Sequence, residues 1–166
     1  MSNFECPSKC PELCKSGRAE SFVFKLTELY PGLTASERAL AAKEPTKMLK
    51  SYQLSHTAEG ICKQKFPTSA TNDESDACRH FVWAGLLTHA FGRAFAEEVL
   101  FAHEQEPTQP GEERAMDLAN NQRGISLTEE LLKARKFSYD VLLEQFQQEL
   151  DSGHLVVLRK KTGGSK

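Results

Sequence analysis

Residues 75–124 read SDACRHFVWAGLLTHAFGRAFAEEVLFAHEQEPTQPGEERAMDLANNQRG, and their pattern decides the fold. Ser75 or Asp76 is placed to cap a helix that runs through the most apolar part of the chain to about Glu106. Pro107 and Pro110 forbid its continuation. Thirty helical residues would span about 45 Å, more than a domain of this size needs, so Gly92 is read as a bend or a close packing contact. Phe81 to Ala102 carries His89, Arg93, Glu97 and Glu98, which is too polar for a bilayer span and fits a core helix. After the Pro-rich loop, Gly111 to Arg123 reads as a short helix closed by Gly124 at its C′ position.

Working outward, apolar residues at Phe22, Leu26, Leu29 and Tyr30 predict a helix over 18–30, ended by Pro31-Gly32. Thr34 and Glu37 form a capping-box pattern, predicting a helix that stops before Pro45. Thr46 is read as the cap of a third helix to about Lys65, followed by a polar loop over 68–74. Leu127 to Leu150 is expected to form a final amphipathic helix. Leu155-Val156-Val157-Leu158 predicts a lone strand or a docked tail. The whole reads as all-α: a Cys/Pro-rich segment over 1–17, one helical domain over 18–158, and a basic flexible tail over 159–166.

Composition agrees. The 166 residues, 39% hydrophobic and 27% charged, suit one globular domain with a real core. The start, MSNFECPSKC, has no apolar signal-peptide core, so the expectation is a cytosolic protein or a secreted or periplasmic one whose signal has been removed. The cysteines favour the second. Cys6, Cys10 and Cys14 lack the paired CxxC spacing of a zinc site, Cys62 and Cys78 flank a loop, and disulfides from the N-terminal segment onto the body suit an oxidising compartment, with the connectivity open. Five is odd, leaving at least one thiol free or paired between chains. A net charge of −2 and a pI near 6.2, with Arg159-Lys160-Lys161 as the only basic run, argue against a nucleic-acid partner and suit a neutral or cationic substrate.

Three groups of residues could carry chemistry. Asp76, Arg79, His80 and Trp83 share one side of two helical turns, with Asp76 and His80 four apart. The alternative is that His80 and Trp83 are satisfied core residues; otherwise the indole would floor a groove. Glu104, beside His103, lies at the C-terminal end of an apolar helix, where dipole and burial both favour the protonated carboxyl that a glycosidase needs. A solvated helix end is the plain alternative. Asp117, Asn120 and Asn121 fall within two turns, and adjacent asparagines inside a helical pattern ask for a reason: a local cap, or a pocket lining. Asp117 is the candidate second carboxylate or partner of His80 or His103. His80, His103, Glu104 and Asp117 could ligate a metal but lack a recognisable spacing, so no metal and no cofactor is required.

Arg79-His80 with Trp83, then Ala102-His103-Glu104, then Met116-Asp117-Leu118 with Asn120-Asn121 and Gly124, in this order and spacing, resemble a family of bacterial secreted and polymorphic-toxin domains. The pattern is RHxxW, AHE and MDLxNNxxG, over about 50 residues; Ala84 and Ala119 stand where more polar residues, often Asn and His, are expected. Within it the chain looks most like the secreted lysozymes of predatory bacteria that act on deacetylated peptidoglycan. That resemblance implies a reduced lysozyme-like helical fold, Glu104 as general acid, and Asp117 as supporting carboxylate. Arg79, His80, Trp83, His103, Asn120 and Asn121 are then expected to hold the glycan and the site. The expected partner is the peptidoglycan glycan strand, with no nucleic acid, no membrane and a monomeric enzyme. Two other classes stand beside it: a toxin-type metal-independent ribonuclease using His80 and His103 as its acid–base pair, and a non-enzymatic wall-binding or inhibitor module.

Overall fold

The computed structural model describes residues 25–28, 30, 32–68 and 70–158. The CPSKCPELC segment, most of the first expected helix and the tail from Arg159 lie outside them; residues 25–28 are helical, with Leu26 buried. The described residues form an all-α fold without strands: α1 Ala35–Lys43, α2 Pro45–Lys65, α3 Glu74–Phe91, α4 Arg93–His103, α5 Gly111–Lys133 and α6 Tyr139–Asp151.

Helix α3 is the axis of the molecule. It is buried on every side from Ser75 to Thr88 except at Arg79 and touches α2, α4, α5 and α6, which is where a helix apolar all round must sit. Its cap is Asp73, not Ser75 or Asp76. The Asp73 carboxylate accepts from the Ser75 and Asp76 amides at 2.8 and 3.2 Å, which starts the helix earlier and leaves the Asp76 side chain free to face the protein interior. Gly92 (φ 82°) then ends α3 outright, so the expected long helix is two helices turned on a residue that only glycine fills without strain.

Helix α1 has the predicted capping box, with Thr34 and Glu37 bonded reciprocally at 3.0 and 2.7 Å. Helix α2 begins at Pro45 with no side-chain cap, so Thr46 is inside the helix and caps nothing. The other corrections concern Gly124 and the helix expected over 127–150, of which 127–133 belong to α5 and only the part from Tyr139 to α6. Helix α5 runs straight through Gly124 to Lys133, because that glycine is the point where α5 crosses α3: a Cβ there would lie 2.3 Å from the Phe81 carbonyl oxygen. The real stop is a Schellman motif in which the Lys136 and Arg135 amides bond the Leu131 and Leu132 carbonyls, with Arg135 at φ 55°. A non-glycine residue fills the left-handed position, so no glycine marks the end. Beyond α6, Leu155 is buried and the Val156 backbone is held at both ends by the Asn120 amide, at 2.9 Å each. The apolar end is therefore a docked tail rather than a strand.

Cys62 and Cys78 bond each other across α2 and α3, with Cα atoms 5.9 Å apart. This corrects the expected pairing with the N-terminal segment. A cross-link closing 16 residues stabilises by about 3 kcal/mol through the unfolded chain. Reduction is expected to lower the melting temperature by roughly 6–12 °C; an unchanged melt under reductant would mean that the bond constrains nothing. No helix among the described residues is long and apolar enough to cross a membrane.

Candidate active site

The end of α4, the 104–110 connection and the facing sides of α3 and α5 enclose a cleft of about 370 Å³. Five carboxylates line it: Asp76, Glu104, Glu106, Glu113 and Asp117. Against them stand the Arg79 guanidinium and the imidazoles of His80 and His103. An adjoining recess of about 350 Å³, reached across His103, is lined by Tyr30, Leu33, Tyr52 and His56.

Glu104 is 1% exposed and sits where α4 ends. Its two oxygens accept from Asn121 Nδ2 at 3.2 Å and from Gln109 Nε2 at 3.1 Å. The same Gln109 nitrogen donates to Asp117 Oδ2 at 2.8 Å, so the two carboxyl groups approach within about 6 Å. Asp117 is 3% exposed, and its other oxygen, Oδ1, has no hydrogen-bond partner. Burial pushes the Glu104 carboxyl above the ordinary glutamate range, against the pull of His103, Gln109, Asn121 and Arg79. Asp117 is pushed up to about 8, first by burial and then by the charges of Glu104 and Asp76.

His80 stands between them. Nδ1 lies 3.3 Å from Asn121 Oδ1 and 3.5 Å from Glu104 Oε1; Nε2 lies 3.4 Å from Asp117 Oδ1 and 3.5 Å from Asp76 Oδ1. Asn121 turns its amide N–H toward Glu104 and therefore its oxygen toward His80, which assigns the His80 proton to Nδ1 and a bare lone pair to Nε2. Burial, with Arg79 and His103 nearby, holds the ring well below the ordinary histidine value, as a neutral imidazole requires.

His103 works through a different partner. Its Nδ1 is 2.9 Å from Glu37 Oε1, while the other Glu37 oxygen completes the α1 capping box. Glu37 lies below its usual value despite burial, because His103 and Thr34 bond it; His103 lies above its own, because Glu37 outweighs burial. The histidine contribution to stability is complete below about 6.5 and is lost as pH rises through its raised value; the glutamate contribution is complete above about 4.5 and is lost as pH falls through its lowered one. The pair is thus expected to stabilise the fold most between these limits. Melting temperatures of wild type and Glu37→Gln across pH check this, since the variant should lose both limbs; a difference that does not change with pH would refute it.

The cluster therefore brings together Arg79, His80, Glu104, Asp117 and Asn121, with His103 at its rim. Two expected members stand elsewhere. Trp83 is 3% exposed, donates its indole N–H to the Ser51 carbonyl at 3.0 Å and meets His103 edge-on, so it buttresses that ring and does not line the cleft. Asn120, one residue from Asn121 but turned about 100° around the helix, holds the tail. Sequence reasoning missed Gln109 and Glu37. Gln109 lies in a loop that gives no periodic signal, and Glu37 was fully explained as a helix cap. No curated protein and no solved structure matches this chain. A family model described as a domain of unknown function (DUF6973) matches residues 38–154, which hold the whole carboxylate cluster, and the chain belongs to that family.

Proposed function

We propose that this protein is a lysozyme-type hydrolase of peptidoglycan glycan strands, acting outside the cytoplasm and preferring strands whose N-acetylglucosamine has been deacetylated. The observation that carries the reading is the pair of buried carboxyl groups, Glu104 and Asp117, held by one amide in an open cleft. Glycoside cleavage needs a carboxylic acid that keeps its proton near neutrality and a second carboxyl group beside it. Glu104 is the proton donor to the leaving oxygen. Asp117 supports the charge that develops on the sugar or positions the incoming hydroxyl. Asn121 and His80 hold Glu104, and Arg79 and His103 flank the entrance.

Charge supports the substrate class. Beside the proton-holding Glu104 and Asp117, the cleft carries the carboxyl groups of Asp76, Glu106 and Glu113 and, among the described residues, no basic face beyond Arg79 and His103, which suits the free amines of glucosamine better than a polyanion and weighs against the ribonuclease reading. The adjoining recess, walled by Leu33 and by Tyr30 and Tyr52 stacked on each other, offers apolar surface against which a sugar ring can pack, a role that Trp83 does not fill. The disulfide suits an oxidising compartment.

The test is to incubate the purified protein with native and with enzymatically deacetylated sacculi and to measure soluble reducing ends. Release from the deacetylated wall alone is expected. Release from neither, with cleavage of RNA instead, would replace this reading by the nuclease one. Binding without product would replace it by a wall-binding module.

A further inference from the structure

Lone pairs of three buried side chains converge around His80 Nε2, and the half-exposed Arg79 guanidinium is the side-chain donor that reaches them, leaving Asp117 Oδ1 without a partner. Asp76 Oδ1, His80 Nε2 and Asp117 Oδ1 all lie within 4.8 Å of one another, and the two distances from the imidazole nitrogen are 3.5 and 3.4 Å. All three residues are buried. With its proton on Nδ1, His80 turns an acceptor toward Asp76 Oδ1, which Arg79 pairs, and toward Asp117 Oδ1, which no described side chain pairs. Asp117 Oδ1 has no hydrogen-bond partner although its side chain is almost wholly enclosed. A buried oxygen left bare in this way costs about 1–3 kcal/mol unless a proton or a cation meets it.

The outer atoms of the same three side chains are each fixed. Asp76 Oδ2 accepts from the Asn72 amide at 2.7 Å, Asp117 Oδ2 accepts from Gln109 at 2.8 Å, and His80 Nδ1 donates to Asn121 at 3.3 Å. This is the arrangement that metal ligands adopt: one atom aimed inward, the other tied to a partner that sets tautomer and orientation. Ligand atoms around a tetrahedral ion at about 2.0–2.2 Å stand roughly 3.4 Å apart, close to both distances from His80. Asp76 and His80 are four apart on one face of α3, and Asp117 comes from the facing side of α5, so two rigid helices set the geometry. The fourth side opens on the cleft that all three residues line.

We propose that Asp76, His80 and Asp117 form a binding site for one divalent transition-metal ion, zinc or manganese in type, with its open position toward the cleft. Two carboxylates and an imidazole are an oxygen–nitrogen set that suits such ions better than copper(I), which prefers sulfur. Arg79 is the local rival. Its guanidinium pairs with Asp76 Oδ1 and lies 3.4 Å from His80 Nε2, but its side chain is 45% exposed and can swing outward. The ion site does not rest on the glycan reading, although the two share Asp117. With an ion present, Asp117 becomes a ligand and Glu104 remains the proton-carrying carboxyl.

The experiment uses the full chain, stripped with a chelator and titrated by calorimetry with Zn²⁺, Mn²⁺ and Ca²⁺ in parallel. One equivalent of Zn²⁺ or Mn²⁺ is expected to bind and raise the melting temperature. Asp76→Asn and Asp117→Asn should each lose at least about tenfold in affinity, while His56→Gln on the exposed face of α2 should not. Should either Asn variant fail to fold, Co²⁺ added to the wild type probes the same ligands: visible d–d bands and a shifted His80 Nε2 resonance are expected. Absence of binding in both wild type and Arg79→Ala would mean that the guanidinium is the only cation the cluster takes. Binding of Ca²⁺ alone would exclude the imidazole as a ligand. Either result overturns the proposal, and neither depends on turnover of any wall substrate.

Discussion

Glu104→Gln is expected to fold and to lose the release of reducing ends from deacetylated wall by roughly 10²–10⁴-fold, the contribution of a positioned general acid. The fold survives because the replacement keeps the shape of a fully buried side chain and removes an acid that burial already disfavours in its charged form. One contact suffers. Glu104 accepts from both Asn121 and Gln109, and an amide offers only one oxygen, so one donor faces another donor at a cost of about 1–3 kcal/mol. Activity has no such cushion, since an amide carries no transferable proton at neutral pH. The variant also reports on its neighbour: without the Glu104 charge, Asp117 should titrate below about 8. Asp117→Asn should cost less, because its role is to support charge rather than deliver the proton. Turnover by Glu104→Gln at more than about a tenth of the wild-type rate would move the acid to Asp117.

Much of this site was legible in the sequence, for reasons that can be named. An apolar run ending in His103-Glu104 places a carboxyl group at the edge of the core whatever the tertiary fold, and Glu104 is buried. Paired asparagines in a helix carry a conformational cost that asks for compensation. Both are compensated, but differently: Asn121 holds His80 and Glu104, and Asn120 replaces a strand partner for the tail. A helix turn of about 100° per residue separates those roles, and no local rule predicts which face meets which neighbour. Trp83 shows the same limit. An indole can stack on a sugar or fill a core, and the Ser51 carbonyl that satisfies its N–H lies 32 residues away in sequence. Gln109 carries no periodic signal at all, yet it links the two carboxyl groups.

Gly124 is where sequence reading went furthest astray, and it yields the largest expected effect on stability. Inside a helix, Gly→Ala is favourable by about 1 kcal/mol through propensity alone, so a solvent-facing site would gain from the change. Here the added Cβ would lie 2.3 Å from the Phe81 carbonyl oxygen and 3.1 Å from Ala84 Cβ. Backbone cannot step aside as a side chain can, so α3 and α5 must separate by about 1 Å along their most extensive contact. Overpacking a core costs about 1–3 kcal/mol where neighbours can adjust. At this crossing the cost should reach or pass the upper end, giving a melting temperature lower by at least about 6 °C or a chain that does not fold. Gly85→Ala is the control. Its Cβ would meet Leu142 methyls and the Thr128 hydroxyl at 2.8 Å, all side-chain atoms, so a loss nearer 1 kcal/mol is expected. The same separation would draw Asp117 and Asn121 on α5 away from His80 on α3, so any folded Gly124→Ala protein should also lose activity disproportionately. Thermal melts of the two variants decide the matter: if Gly124→Ala melts within about 2 °C of wild type, the two helices do not cross at this distance, and the geometry of the carboxylate cluster built on that crossing must be redrawn.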